Sequence, residues 1–302
     1  MDYAKRTALV DALIADARNK KCPPGFTITS YAVSAIEALP AMGFRWILID
    51  LEHTELQVAT GGLIEVLRSA EATGLPYFVK LPTRWDVTLA TGLLDFGAYG
   101  LQIPFTDSPE QIREILHAIR FYPTGTRSWC PAMRAVDYGT FFLTGNLSMA
   151  RECFTFTHDK VQVIPTIESR ESLKRIDELL EIEECLIWHM GPSNLMLQTF
   201  GWDGMSFSQD QIAEVAGVMA EAAAKIRAAG KLLMLPIEIS DTNVSSTGHV
   251  GRCKPELPYG VDSFCYSWGV RETTLICDRL RAQMADQPGQ EPSHVGQSKS
   301  SA

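Results

Sequence analysis

The 302-residue chain has no surplus of positive charge: 27 Lys and Arg stand against 36 Asp and Glu, a formal net charge of -9. A nucleic-acid surface needs a basic stripe, and no basic run supplies one locally, so that class of partner is excluded. No apolar run reaches the roughly 18 residues of a membrane span. The opening Met1-Asp2-Tyr3-Ala4-Lys5-Arg6 lacks the apolar core of a secretory leader. Also missing is any Cys-x-x-Cys spacing. The seven cysteines (Cys22, Cys130, Cys153, Cys185, Cys253, Cys265, Cys277) are odd in number and scattered, several of them in apolar patterns. They read as reduced, buried thiols rather than as a disulfide framework. The expectation is a soluble, cytoplasmic protein with no membrane and no nucleic-acid partner.

What the chain does have is a regular alternation. Short apolar runs recur at Gly25–Thr29, Trp46–Asp50, Tyr77–Lys80, Gly100–Pro104, Val161–Ile167, Cys185–Met190, Leu232–Pro236 and Val261–Trp268. Continuous runs of this kind fit strands buried on both faces. Stretches with apolar residues at helical spacing separate them, such as Leu63, Val66, Leu67 and Ala70, or Ile112, Ile115, Leu116 and Ile119 behind Ser108-Pro109-Glu110. Eight such alternations predict one α/β domain, a (β/α)8 TIM barrel over residues 1–285, closed by a helix from Thr273 to Met284. Pro123 to Asp159 reads as irregular. Residues 286–302, dominated by Gln, Pro, Gly, Ser and Lys, read as a disordered tail.

In such a barrel, chemistry sits where strands end. Asp50 and His53 follow the second strand, and their spacing allows a hydrogen bond that orients the imidazole as a base. The alternative has Asp50 capping the next helix and His53 solvated. Lys80 closes the third strand. Glu168 ends the fifth, as an oxygen ligand, a base or a cap. After the sixth, Gly191-Pro192-Ser193-Asn194 opens a helix whose backbone N–H groups suit an anion. Arg84 lies in the loop after the third strand, either at the mouth or solvated. His189 lines the mouth or packs beside Trp188.

Taken in order, Asp50-Leu51-Glu52-His53, Leu94-Asp95-Phe96-Gly97-Ala98, Pro123-Thr124-Gly125-Thr126-Arg127, Pro165-Thr166-Ile167-Glu168 and Gly191-Pro192-Ser193-Asn194-Leu195 carry a resemblance. From about Ile47 to Leu280 the chain resembles the metal-dependent (class II) pyruvate aldolases of the 4-hydroxy-2-oxoheptanedioate aldolase family, which includes macrophomate synthase. It is more distantly similar to citrate lyase β-type and phosphoenolpyruvate-utilising barrels. The resemblance implies a barrel whose last helix swaps between subunits of a homo-oligomer, a hexamer or trimer. It implies a divalent metal, Mg2+, Mn2+ or Co2+, on Glu168 and Asn194, chelated by pyruvate or its enolate. Lys80 would stabilise the enolate oxygen, and His53 with Asp50 would move protons through a water. Thr166 would face the substrate, and Asp95 would reach a neighbouring subunit's site.

Three of these positions depart from the family pattern. Asn194 stands for a metal-binding aspartate, Lys80 for an arginine and Thr166 for a glutamine. The amide keeps an oxygen but loses a charge, and the ammonium keeps the charge but loses the planar fork. The function expected is a carbon–carbon lyase of the aldolase type acting on a 2-oxo acid, with a weakened metal site. Two other readings stay open. One is a metal-independent enzyme that enolises, dehydrates or cyclises another carbonyl compound. The other is a non-catalytic relative.

Overall fold

The computed structural model describes residues 1–54, 56, 62–84, 86–146, 148–201 and 208–236, together with the backbone of 242–244, 250–253 and 264–268. These belong to one compact unit, Met1–Gly269. The last helix expected from Thr273 to Met284 and the tail from 286 lie outside the described residues.

Eight parallel strands close into a barrel. They are β1 (Pro24–Ile28), β2 (Trp46–Asp50), β3 (Tyr77–Lys80), β4 (Gly100–Ile103), β5 (Gln162–Ile167), β6 (Ile187–Met190), β7 (Leu232–Pro236) and β10 (Phe264–Trp268). Around the barrel their order is β1-β10-β7-β6-β5-β4-β3-β2. Every residue of β2, β3, β4, β5 and β6 is buried, as the unbroken apolar runs require. Full burial of a large apolar side chain such as Ile47, Phe78 or Trp188 is worth about 1.5–3 kcal/mol. Gly25 is dictated by one of these side chains, because a Cβ there would come within 2.2 Å of the Trp46 ring.

Helices follow the strands: α2 (Val33–Ala38), α3 (Gly62–Ala72), α4 (Val87–Asp95), α5 (Pro109–Ile119), α8 (Arg170–Lys174), α9 (Ile176–Leu180), α10 (Pro192–Phe200) and α11 (Gln209–Ala228). Ser108, read as the cap of α5, forms a capping box with Gln111. The opening helix α1 runs from Tyr3 to Arg18, ahead of the first strand. Its first turn carries Arg6, buried with Glu71 at 2.9 Å and stacked 3.7 Å from the Tyr99 ring.

Two segments differ from the sequence reading. The stretch expected to be irregular contains a 3-10 segment (Arg134–Gly139), the short α6 (Phe141–Thr144) and a true helix, α7 (Ser148–Asp159). Cys153 and Phe156 of α7 are buried, and its polar remainder hid the period. Between β7 and β10 an antiparallel pair, β8 (Thr242–Val244) and β9 (Val250–Cys253), was not foreseen. Of the described cysteines, Cys22, Cys153 and Cys185 are buried as expected, whereas Cys130 is exposed.

Candidate active site

Asp50 and Lys80 end neighbouring strands in direct register, and Lys80 is in turn paired with Gln102 of β4. Glu168 follows β5 by one residue, and Asn194 lies in the first turn of α10, after β6. The four residues sit at the carboxyl end of the barrel, where βα-loops build sites.

Glu168 is 2% exposed, and both of its oxygens are engaged. Oε1 accepts the Phe105 backbone N–H at 2.8 Å, and Oε2 accepts Asn194 Nδ2 at 2.8 Å. Burial pushes the carboxyl above its ordinary value, opposed by those two hydrogen bonds and by the charge of Lys80. Phe105 holds a positive φ of 46°, a conformation a bulky residue adopts at a cost of about 1–3 kcal/mol. That strain aims its N–H at Glu168. Gly191 makes room on the other side, since a Cβ there would lie 2.6 Å from Glu168 Oε2. Its φ of -107° is ordinary, so the demand for glycine is purely one of space.

Lys80 is almost fully buried and pairs with Glu52, Nζ to Oε2 2.5 Å. Glu52 Oε2 also lies 3.4 Å from His53 Nε2. Of the two readings of the Asp50–His53 spacing, the structure follows the one with Asp50 as a cap and His53 open to solvent. The Asp50 carboxylate accepts the backbone N–H groups of Glu52 at 2.8 Å and His53 at 3.4 Å, which fixes the turn. The imidazole, 60% exposed, faces Glu52 instead.

Thr166 lies deeper. Its hydroxyl accepts Gln102 Nε2 at 3.3 Å, while Gln102 Oε1 and Asp50 Oδ2 are buried without a hydrogen-bond partner among the described residues. His189, in register with Thr166, is buried. Burial first and the charge of Lys80 second hold its imidazole well below the ordinary value, so it is neutral. Ser193 and Asn194 precede the first intrahelical bond of α10, from Leu195 N–H to Gly191 O at 3.2 Å, so their N–H groups point out of the helix start. Pro192 opens that helix and brings no N–H of its own.

Two expected residues stand apart from this group. Arg84 is held by the Phe105 carbonyl at 2.6 Å and by Asp107, so it braces the β4 loop at the rim. Asp95 ends α4, on the side where β4 begins, and binds buried Arg127 at 2.6 Å. Within this chain Asp95 is at the far end from Glu168.

The sequence reading assigned no role to Glu52, Gln102, Phe105 and Asp107. Glu52 and Gln102 were visible in principle, one inside the Asp50–His53 turn and the other the lone polar residue of the run Gly100-Leu101-Gln102-Ile103. Phe105 carries no sequence signal, because its part is played by a strained backbone.

The Glu168–Asn194 pair fits a divalent cation in one respect. The carboxylate oxygen and the amide lie 2.8 Å apart, and rotating the amide by half a turn exchanges nitrogen for oxygen at that point. Two oxygens so spaced suit adjacent ligands of a hard ion at about 2.0–2.1 Å. The pair brings one negative charge, and no cluster of three His, Cys, Asp or Glu occurs among the described residues. Most other ligands would have to come from water and substrate.

A family model described as HpcH/HpaI aldolase/citrate lyase matches residues 26–242. The 2-dehydro-3,6-dideoxy-6-sulfogluconate aldolase of Pseudomonas putida is 28% identical over 178 residues, 59% of this chain and 65% of that protein. The chain thus matches just under two thirds of that relative's length. The 4-hydroxy-2-oxo-heptane-1,7-dioate aldolase of Shigella sonnei is 29% identical over 198 residues, 65% of this chain and 68% of that one. Among solved structures, an HpcH/HpaI aldolase/citrate lyase family protein from Burkholderia cenocepacia superposes with a TM-score of 0.71 at 20% identity. It covers 93% of this chain and 100% of its own. At that identity the likeness speaks for the fold.

Proposed function

The chain belongs to the HpcH/HpaI aldolase/citrate lyase family, and from that premise we propose that it is an aldolase. It would break or form the carbon–carbon bond between a 2-oxo acid of the pyruvate type and an aldehyde. The relatives named above are aldolases of 2-oxo compounds. The observation that carries the proposal is the placement of two buried charges, the Lys80 ammonium and the Glu168 carboxylate, at the carboxyl ends of β3 and β5, the barrel mouth.

Retro-aldol cleavage needs three things from the protein. The substrate carboxylate must be held, and the N–H groups of Ser193 and Asn194 at the start of α10 offer an anion site. Negative charge developing on the keto oxygen must be met, and Lys80 supplies a fixed cation in a dry setting. A proton must leave the 4-hydroxyl and another must reach the enolate carbon. His53, with Glu52 beside it and open to solvent, carries that traffic, while Asp50 positions the turn that bears both. A divalent cation held by Glu168 and Asn194 would add a Lewis acid at the keto oxygen.

A metal-free version of the same chemistry would leave Lys80 alone to meet the charge on the keto oxygen. Both versions share Lys80. Pyruvate release from a 4-hydroxy-2-oxo acid, followed through coupled reduction to lactate, tests them together. Release should occur with the native protein and fall by about 10²–10³ in Lys80→Met, the range seen on removing one oxyanion donor. No release, or release indifferent to Lys80, contradicts the proposal. Chelator then separates the two versions.

A further inference from the structure

Among the described residues Lys80 is the only buried lysine. It closes β3, with Asp50 and Gln102 as its register partners on β2 and β4, so the three side chains leave one face of the sheet together. Its Nζ lies 2.5 Å from Glu52 Oε2, and the same oxygen lies 3.4 Å from Nε2 of His53. A nucleophile, a base within hydrogen-bond reach and a third group beside the base form the arrangement that activates a side chain for covalent catalysis. Substrate has a way in. Glu52 lines a cleft of about 600 Å³ between the loops after β3, β4 and β5, with Pro82, Pro104 and Phe105 on its walls.

We infer that the Lys80 amine bonds covalently to the 2-oxo acid, as an imine at C2. The inference rests on the aldolase reading and gives its metal-free version a chemical course. Glu52 takes a proton from the ammonium, and the freed nitrogen attacks C2. The C–N bond forms as the carbonyl π pair moves to oxygen. Both protons that the nitrogen sheds end on that oxygen, the first by way of Glu52, and it departs as water. The nitrogen lone pair closes the double bond. Ammonium and carbonyl have become iminium and water, with no net change in protons. The iminium keeps the single positive charge beside Glu52, so no new buried charge arises, which in a dry site would be costly. That charge is now bonded to the carbon that must accept electrons, rather than hydrogen-bonded to its oxygen. Cleavage sends the C3–C4 bonding pair into the iminium as an enamine, while the 4-hydroxyl gives up its proton and becomes the aldehyde. The enamine takes a proton at C3, and water attacks C2 to free pyruvate and restore Lys80.

Borohydride reduces an imine to a stable amine and so records the bond. Native protein incubated with pyruvate, chelator and borohydride should gain the mass of pyruvic acid less one oxygen atom. Peptide mapping should place the gain on Lys80, ahead of the exposed lysines. In Glu52→Gln the rate of labelling should fall by about 10²-fold, the low end of what a positioned base contributes. Lys80→Arg keeps a cation but offers no amine. With chelator present it should release pyruvate from a 4-hydroxy-2-oxo acid no faster than Lys80→Met. No adduct on Lys80 while the native protein releases pyruvate, in chelator or with added Mg2+, overturns the imine and leaves the aldolase reading standing. A Lys80→Arg variant as active as the native protein in chelator does the same. No adduct and no release under either condition overturns both.

Discussion

At the scale of single residues, Asn194 would set how firmly the proposed cation is held. A carboxylate in its place would add one negative charge within about 2 Å of a hard ion, where ligand charge supplies much of the affinity. The two side chains are nearly isosteric, so Asn194→Asp keeps the fold. Without metal it would place two carboxylates about where the 2.8 Å hydrogen bond now runs, and like charges so close repel. The variant should therefore bind Mg2+ or Mn2+ at least about tenfold tighter by calorimetry, a gain of about 1.4 kcal/mol. It should also melt lower than the native protein in chelator and regain stability when metal is added. Equal affinities in the two proteins contradict this account of the site.

At the scale of elements, the junction of β6 with α10 is held open by the absence of one methyl group. Gly191→Ala would push its Cβ to 2.6 Å from Oε2 and 2.9 Å from Cβ of Glu168. The carboxylate must then shift, and a misplacement of about 1 Å at a reacting centre can cost 10²-fold in rate. Turnover should fall by about that factor while circular dichroism stays native; unchanged turnover would show that Glu168 has slack. This junction was legible in the sequence as Gly-Pro-Ser-Asn after an apolar run, and so were β2, β3 and β7, whose buried faces leave no alternative to strand. The helix α7 was hidden because only part of its surface is buried, which dilutes the period. Of the two readings of the Asp50–His53 spacing, the cap prevails for a local reason. A carboxylate two or three residues before free backbone N–H groups caps the turn before it reaches a side chain. Phe105 could not have been foreseen, since nothing in a phenylalanine announces a positive φ.

At the scale of the whole molecule, stability and chemistry meet in the barrel interior, where His189 is kept neutral under the mouth. Its folded-state pKa lies well below the ordinary 6.5, while the unfolded chain takes up a proton as pH falls through that value. In that range the unfolded state binds more protons, so folding stability declines with falling pH by at most about 1.4 kcal/mol per unit from this group. Above about pH 6.5 the group adds no slope. His189→Gln removes it, so denaturant titrations should show the native protein losing stability relative to the variant between about pH 6.5 and pH 5. A pH-independent difference contradicts the assignment. The central claim is that the barrel mouth makes an enolate from a 2-oxo acid between Glu168 and Lys80, and proton exchange reads that step without an acceptor. In deuterated buffer the protein alone should exchange the methyl protons of pyruvate, followed by proton NMR, far above the buffer rate. Glu168→Gln and Lys80→Met should each lose that exchange. Exchange at the buffer rate with the native protein, or exchange untouched by both substitutions, would contradict it.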